Sequence, residues 1–265
     1  MKDLRKTHTF VVCAYKESPY LEECLHSLMA QSVKSSIIMI TSTPNDFIRG
    51  LAQRYRISLF YHEGPKGIVP DWNFAYEKCT TPYVTIAHQD DIYFPRYTAR
   101  AIKALRQSKK PLIFFSDYQE IREDQAIPSN FLLFVKRLML LPLRINSFQS
   151  SKFIRRRILS FGCPICCPAV TFATDNLPRP IFSTGFRSCE DWEAWERLSK
   201  LTGDFVYDSL ELMAHRIHKE SETTNIINDG DRNKEDYQMF LKFWPKGMAR
   251  LLTRLYAIGE HSNQL

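Results

Sequence analysis

Short apolar runs alternate with amphipathic stretches through the first half of the chain. Thr9 to Tyr15 (TFVVCAY), Ile37 to Ile40, Ile57 to Tyr61, Tyr83 to Ala87 and Leu112 to Ser116 each read as one strand. A strand buried in a parallel sheet presents such a run rather than a strict alternation. Between the runs, Leu21, Cys24, Leu25 and Leu28 recur at helical spacing, as do Phe47, Ile48, Leu51 and Tyr55. Helical patterns also cover Trp72 to Cys79 and Pro95 to Gln107. Ser18-Pro19 offers a cap followed by proline at the first helical position, and the polar cluster Thr41 to Asp46 breaks the second strand.

Strands alternating with helices predict βαβ crossovers, hence an α/β, Rossmann-like fold with a mostly parallel sheet and helices on both faces. The second half is less regular. Phe131 to Ile158 mixes apolar and basic residues, Pro168 to Ala173 and Phe205 to Met213 read as strands, and Asp191 to Leu201 as a helix with Trp192, Trp195 and Leu198 along one face. Asp236 to Ile258 reads as a helical tail interrupted at Pro245-Lys246-Gly247.

A length of 265 residues suits one large domain, or one domain with an appended subdomain, and 44% hydrophobic with 13% aromatic residues marks a packed protein rather than a disordered one. The formal charge of +7 is spread over the chain except at Lys136-Arg137 and Arg155-Arg156-Arg157. Such an excess suits nucleic acid, an anionic membrane face or a phosphate-bearing small molecule, and does not choose among them. The charged start, Met1 to Thr9, does not read as a signal peptide, and no run approaches the roughly 18 apolar residues of a spanning helix. A cytoplasmic location is expected. The seven cysteines are odd in number and lack framework spacing, so reduced thiols are expected, and Cys163-Pro-Ile-Cys166-Cys167 has no second Cys or His pair to complete a zinc site.

The fourth apolar run leads directly into His88-Gln89-Asp90-Asp91. Adjacent carboxylates repel, so the pair belongs in water, opposite basic groups, or around a cation. A solvated loop is the plain reading. The position favours a ligand, because open parallel sheets bind polar ligands at the carboxyl ends of their strands.

Taken together, TFVVCAYKESPYLEECLHSLMAQ, AHQDD and Cys189-Glu190-Asp191-Trp192-Glu193 resemble the family 2 glycosyltransferases of the GT-A fold. Tyr15 and Tyr20 to Gln31 match the opening strand, loop and helix of that family, and Gly67 with Asn73 matches its glycine-to-asparagine spacing. His88 to Asp91 occupies the place of the acidic metal motif, and Glu190-Asp191 that of the acidic pair before a helix. The resemblance runs from about Thr9 to Thr224. It departs where Thr41-Ser42-Thr43 replaces an aspartate pair that reads the nucleotide base, where Ala14 and Lys16 replace a threonine and an asparagine, and where His88 replaces the first carboxylate. Donor base and sugar stay open.

The resemblance implies a metal-dependent, inverting glycosyltransferase using Mn2+ or Mg2+, a nucleotide-sugar donor (a UDP-sugar foremost) and a glycan or lipid-linked acceptor, in surface polysaccharide or glycolipid synthesis; nucleic acid is not expected as a partner. It implies a GT-A domain over residues 1–225, with a donor half at 1–117 and an acceptor half at 118–225, and a helical extension over 226–265. Candidate donor-binding residues are Ala14, Tyr15, Glu17, Ser42, Asp71, Asn73, Asp90 and Arg216. Asp71 either supplies the missing carboxylate or starts a helix. Asp90 and Asp91 are assigned jointly to metal and ribose, with His218 as a further metal ligand. His88 is a ligand or a structural histidine, and His215 shares with His218 the place of a diphosphate-facing histidine. An attacking hydroxyl needs a carboxylate to take its proton, which points to Asp191 as base with Glu190 beside it; the plain alternative for Asp191 is a helix cap.

Phe131 to Ile158 suits either an acceptor-side helix packed on the core or a face resting on an anionic bilayer at the inner side of the membrane. A sugar nucleotidyltransferase would need a glycine-rich loop after the first strand, and Cys13 to Pro19 contains no glycine. A non-catalytic binding module would not need Glu190-Asp191.

Overall fold

In β1 (His8–Ala14), Phe10, Val11 and Val12 are fully buried, as a run with no polar alternation requires of a central strand. In a computed structural model that describes residues 3–122, 124–218 and 232–261, β1 is flanked on both sides by parallel partners, β2 (Ser36–Thr41) and β4 (Tyr83–His88), with β3 (Ser58–Tyr61) outside β2. α1 (Leu21–Met29), α2 (Asp46–Arg54) and α3 (Ile68–Glu77) make the crossovers. The register aligns Cys13 with His88 and Ala14 with Thr41, so the ends of three strands open onto one edge.

Beyond β4 the order departs from simple βαβ repetition. The described sheet runs β3–β2–β1–β4–β8–β6–β9–β5, where β5 is Ile92–Tyr93, β6 Pro111–Arg122, β8 Val170–Ala173 and β9 Asp204–Ile217; β7 (Gln125–Ile127) pairs with β6 alone. β8 enters antiparallel between β4 and β6, and the Thr85 and Thr171 hydroxyls meet across it at 2.7 Å. A late strand thus separates two early ones that the local pattern would place side by side. β6 is also longer than the run Leu112 to Ser116, and the division at 117/118 falls inside it. The boundary at 225/226 lies outside the described residues, as does the last part of the resemblance, up to Thr224.

Helices cover both faces of the sheet. α1, α2 and α4 (Tyr97–Gln107) pack on one side with Leu21, Leu25, Ile48 and Ile102 in the core. α3, α8 (Glu190–Ser199), α9 (Arg232–Leu241) and α10 (Lys246–His261) contribute Trp72, Trp192, Phe240 and Ala249 to the other. The tail is broken between Leu241 and Lys246, as Pro245 predicts. Between β7 and β8 lie α5 (Phe131–Leu140), α6 (Asn146–Gln149) and α7 (Lys152–Leu159). α5 is capped by Asn130, which accepts from Leu133 N at 2.8 Å.

The basic runs divide by neighbour. Arg155 is buried and donates to the Gly203 and Leu201 carbonyls at 2.7 Å each, Arg156 pairs with Glu196, and Arg157 stays exposed. No helix among the described residues is long and apolar enough to cross a membrane.

Candidate active site

The edge formed by β1, β2 and β4 collects the first group of candidate residues. Gln89 fixes the chain leaving β1, with Oε1 accepting from Tyr15 N at 2.9 Å and Nε2 donating to Tyr15 O at 3.1 Å. Lys16 takes a left-handed φ of 53°, uncommon for a residue with a side chain, and its N–H donates to Thr43 Oγ1 at 2.6 Å. The Tyr15 ring is left 48% exposed beside this turn, with Glu17 exposed and Ala14 buried behind it. Ser42 donates to Asp71 Oδ2 at 2.7 Å, and His62 Nδ1 lies 2.6 Å from Asp71 Oδ1. Asp71 does not cap α3, whose cap is Gly67; it stands one turn in. Asn73 is turned away from this group: its amide exchanges hydrogen bonds with the Phe182 backbone, donating to the carbonyl at 2.8 Å and accepting from the N–H at 3.0 Å.

The second group is brought in by strand register. β5 pairs antiparallel with β9, Tyr93 opposite Met213 and Ile92 opposite Ala214, which brings Asp90 and Asp91, just before β5, beside His215 and Arg216. Asp91 is 1% exposed; its Oδ1 accepts from Arg216 N at 3.0 Å and lies 2.9 Å from His215 Nδ1, while Oδ2 has no hydrogen-bond partner. Burial pushes the Asp91 carboxyl up, but the His215 charge and hydrogen bond outweigh it and hold it below the usual range. His215 is raised in turn: burial works against its charge and Asp91 prevails. His88 is lowered, chiefly by burial, and its ring stacks on Trp72 at 5.0 Å.

Asp90 points the other way, to where side chains stay partly open. Its Oδ1 accepts from the Ser18 hydroxyl at 2.8 Å, and Oδ2 lies 3.2 Å from His218 Nε2. Ser18 therefore gives its hydroxyl to the site, and the residue preceding α1 is Tyr20, which makes no side-chain cap. Arg216 lies over the Tyr20 ring at 4.3 Å and donates to Asp90 O at 3.1 Å, to Glu23 at 2.5 Å and to Asp124 at 2.8 Å.

The third group stands at the first turn of α8. Asp191 is the second residue of that helix and is partly exposed; Oδ1 accepts from Trp192 N at 2.6 Å, and the Cys163 thiol lies 3.7 Å from Oδ2. Burial raises its carboxyl above the usual range, opposed by the Trp192 N–H and by Lys136. The cap position is Cys189, which makes no side-chain cap, and the loop before the helix is held by Glu235 of α9, which accepts from Arg187 N and Ser188 N at 2.8 Å each and from the Ser188 hydroxyl at 2.7 Å. Glu190 is buried with Oε2 unpartnered, and burial pushes it up to about 8.

That value has a stability consequence. An acid whose folded pKa lies above its unfolded one binds the extra proton in the native state, so its contribution falls as pH rises from the ordinary glutamate value toward 8. Glu190→Gln is expected to melt higher than the parent at pH 8, by more than about 1.4 kcal/mol, the worth of one pKa unit, and to lose that advantage near pH 4. Parallel thermal melts across that range check it. A constant difference would mean that Glu190 does not change charge on folding.

The second and third groups share neighbours. The Cys166 thiol feels both Asp91 and Asp191, and the Lys136 ammonium, 2.9 Å from the Tyr118 hydroxyl, acts on both Asp191 and His215. The Asp90–Asp91 pair thus stands at the carboxyl edge of a parallel sheet, and the raised Asp191 carboxyl at the first turn of α8. The family described as Glycosyl transferase family 2 matches residues 9–169, more than half of the chain. The chain belongs to glycosyltransferase family 2.

The fold of this family 2 glycosyltransferase is GT-A. It superposes on S. aureus TarS 1–349 in complex with UDP-GlcNAc at a TM-score of 0.62 and 12% identity, over 93% of this chain and 70% of the other. It superposes on the mannosyltransferase PcManGT from Pyrobaculum calidifontis, in complex with GDP-Man and Mn2+, at a TM-score of 0.62 and 14% identity, over 98% and 76% of the two chains. At these identities the likeness speaks for the fold. No curated protein matches the chain in sequence.

Several supporting residues escape a reading of the sequence. Gln31 donates to the Tyr93 and Phe94 carbonyls at 3.2 and 2.9 Å and accepts from Thr98 N at 3.0 Å, anchoring the chain just after Asp91. It lay within the matched opening motif, which marked it without giving its role. Gln89 and Lys136 lay within runs singled out for other reasons and Glu235 in none, and the sequence did not give their roles, since their partners are at least 18 residues away.

Proposed function

We propose that this glycosyltransferase is metal-dependent and inverting, moving a sugar from a UDP-sugar to a hydroxyl of a glycan or lipid-linked acceptor in surface polysaccharide or glycolipid synthesis, in the cytoplasm at the inner face of the membrane. The support is the raised carboxylate of Asp191 together with the Asp90–His218 pair. The separation of 3.2 Å in that pair suits two neighbouring ligands of one cation, which sit about 3 Å apart when each bond is about 2.1 Å. Among the described residues no group of three or more His, Cys, Asp or Glu could hold a metal, so the donor diphosphate and water would supply the remaining ligands. A divalent cation, Mn2+ or Mg2+, would offset charge on the departing diphosphate.

The chain's own residues do the rest. Asp91, paired with His215 and the Arg216 N–H, fixes the turn that presents Asp90. Arg216 can turn to a phosphate because its partners Glu23 and Asp124 are themselves exposed, at 54% and 82%, and lose little when released. The exposed Tyr15 ring and the Ser42–Asp71 pair would receive ribose and base, with Glu17 at the rim. TarS and PcManGT carry UDP-GlcNAc and GDP-Man; a UDP-sugar is proposed here, with Asp71 taking the part of the base-reading carboxylate. Asp191 takes the acceptor proton, and one displacement with one base inverts the anomeric carbon.

Thermal shift against UDP, GDP and UDP-GlcNAc, with manganese or with chelator, tests this. UDP with manganese should stabilise by about 2.7 kcal/mol at 100 times its dissociation constant. An equal shift with chelator would remove the metal, and a larger shift with GDP would replace the base.

A further inference from the structure

Two helices turn apolar faces to solvent. On α5, Phe131, Phe134 and Leu138 recur at helical spacing and are exposed, Phe131 to 76%, while Leu133 and Leu140 are buried on the other side. On α10, Leu251 and Leu255 are exposed while Ala249 is buried, and Phe153 of α7 is 67% exposed. Between α5 and α7 the exposed Leu141, Ile145 and Phe148 continue the apolar surface along the chain, and Phe161, just past α7, packs at 5.5 Å on Trp244, which leads into α10. Contiguous exposed apolar surface of this kind marks an interaction site.

The charge around it has one sign. Residues 131–161 contain seven Lys and Arg and no Asp or Glu, and residues 246–257 contain three and none. Lys136, Arg137 and Arg155 turn inward to Tyr118, Glu211 and Gly203. Arg144, Lys152 and Arg157, with Lys246, Arg250 and Arg254, remain exposed. A second copy of the chain would set this basic surface against itself across a two-fold axis, which like charge opposes. An anionic bilayer offers both an apolar interior and the opposite charge.

We propose that the face formed by α5, α7 and α10 docks the protein on an anionic phospholipid bilayer, Phe131, Phe134 and Leu255 entering the headgroup boundary. The docking stands on the surface alone. Its link to a lipid-linked acceptor rests on the proposed function, since the inward side of α5 carries Lys136 to Asp191.

Flotation of the full chain with phosphatidylglycerol–phosphatidylcholine vesicles, against phosphatidylcholine alone, is the test. Binding should require phosphatidylglycerol and be released by salt. Phe131→Ser/Phe134→Ser and Arg250→Glu/Arg254→Glu should each cut the bound fraction at least about tenfold while thermal melting stays unchanged. Absence of flotation, equal flotation of both variants, or a sedimenting dimer that Phe131→Ser/Phe134→Ser dissolves would overturn docking. UDP thermal shifts on the same samples separate the two readings: a retained shift without flotation sinks docking alone, and flotation without any nucleotide shift upholds docking while sinking the donor reading.

Discussion

Asp191→Asn is expected to lower sugar transfer by about 10²–10⁴-fold, the usual worth of a positioned general base, while nucleotide and metal affinity barely change. Asparagine keeps the size of the side chain and still accepts from the Trp192 N–H, now at 2.6 Å, but it takes no proton at neutral pH. A loss of stability does not mimic this effect, because the entry loop of α8 is held by Glu235 and asparagine keeps the bond from the Trp192 N–H. Burial raises the Asp191 carboxyl, which brings a carboxylate nearer the acidity of a useful base. The parent's rate should accordingly climb with pH through that raised value, and the residual rate of Asp191→Asn should not follow it. Near-normal turnover by the folded variant would take Asp191 out of the mechanism and pass the test to Glu190 or Glu193.

The adjacent carboxylates are expected to part company on substitution. Asp90 shares its carboxylate with Ser18 and His218 at a partly open position, so Asp90→Asn should leave the melting temperature near that of the parent and abolish the additional stabilisation that manganese gives to bound UDP. Asp91 is buried against His215 and the Arg216 N–H, and removing one member of a buried pair strands the other. Asp91→Ala should therefore cost about 3–5 kcal/mol of stability. Urea unfolding for stability and thermal shift for ligand binding separate the two effects. Equal destabilisation by both substitutions, or a retained manganese effect in Asp90→Asn, would mean that the division of labour read from burial is wrong.

Much of this was legible in the sequence because it is local. The runs TFVVCAY and YVTIA fix buried strands by their lack of alternation, and the helical spacing of Leu21, Cys24, Leu25 and Leu28 fixes the helix between the first two strands. Both signals depend only on neighbours within a few residues. The acidic pair at the end of β4 and the pair at the start of α8 could likewise be named as candidates from their placement relative to those elements.

What the sequence by itself determined, then, was the α/β class, the parallel first half of the sheet and the placement of the candidate carboxylates. The tertiary structure decided their surroundings. Register between β5 and β9, strands more than 100 residues apart, brings His215 and Arg216 beside Asp91 and Asp90, and no local pattern encodes such a pairing. Burial then splits two adjacent aspartates, turning Asp91 inward to a charged partner and leaving Asp90 open to a ligand. The intrusion of β8 between β4 and β6, the turn of Asn73 toward Phe182 and the grip of Glu235 on the entry to α8 are decisions of the same kind. Each depends on which distant backbone groups need a partner once the chain has collapsed, a condition that exists only in the folded molecule.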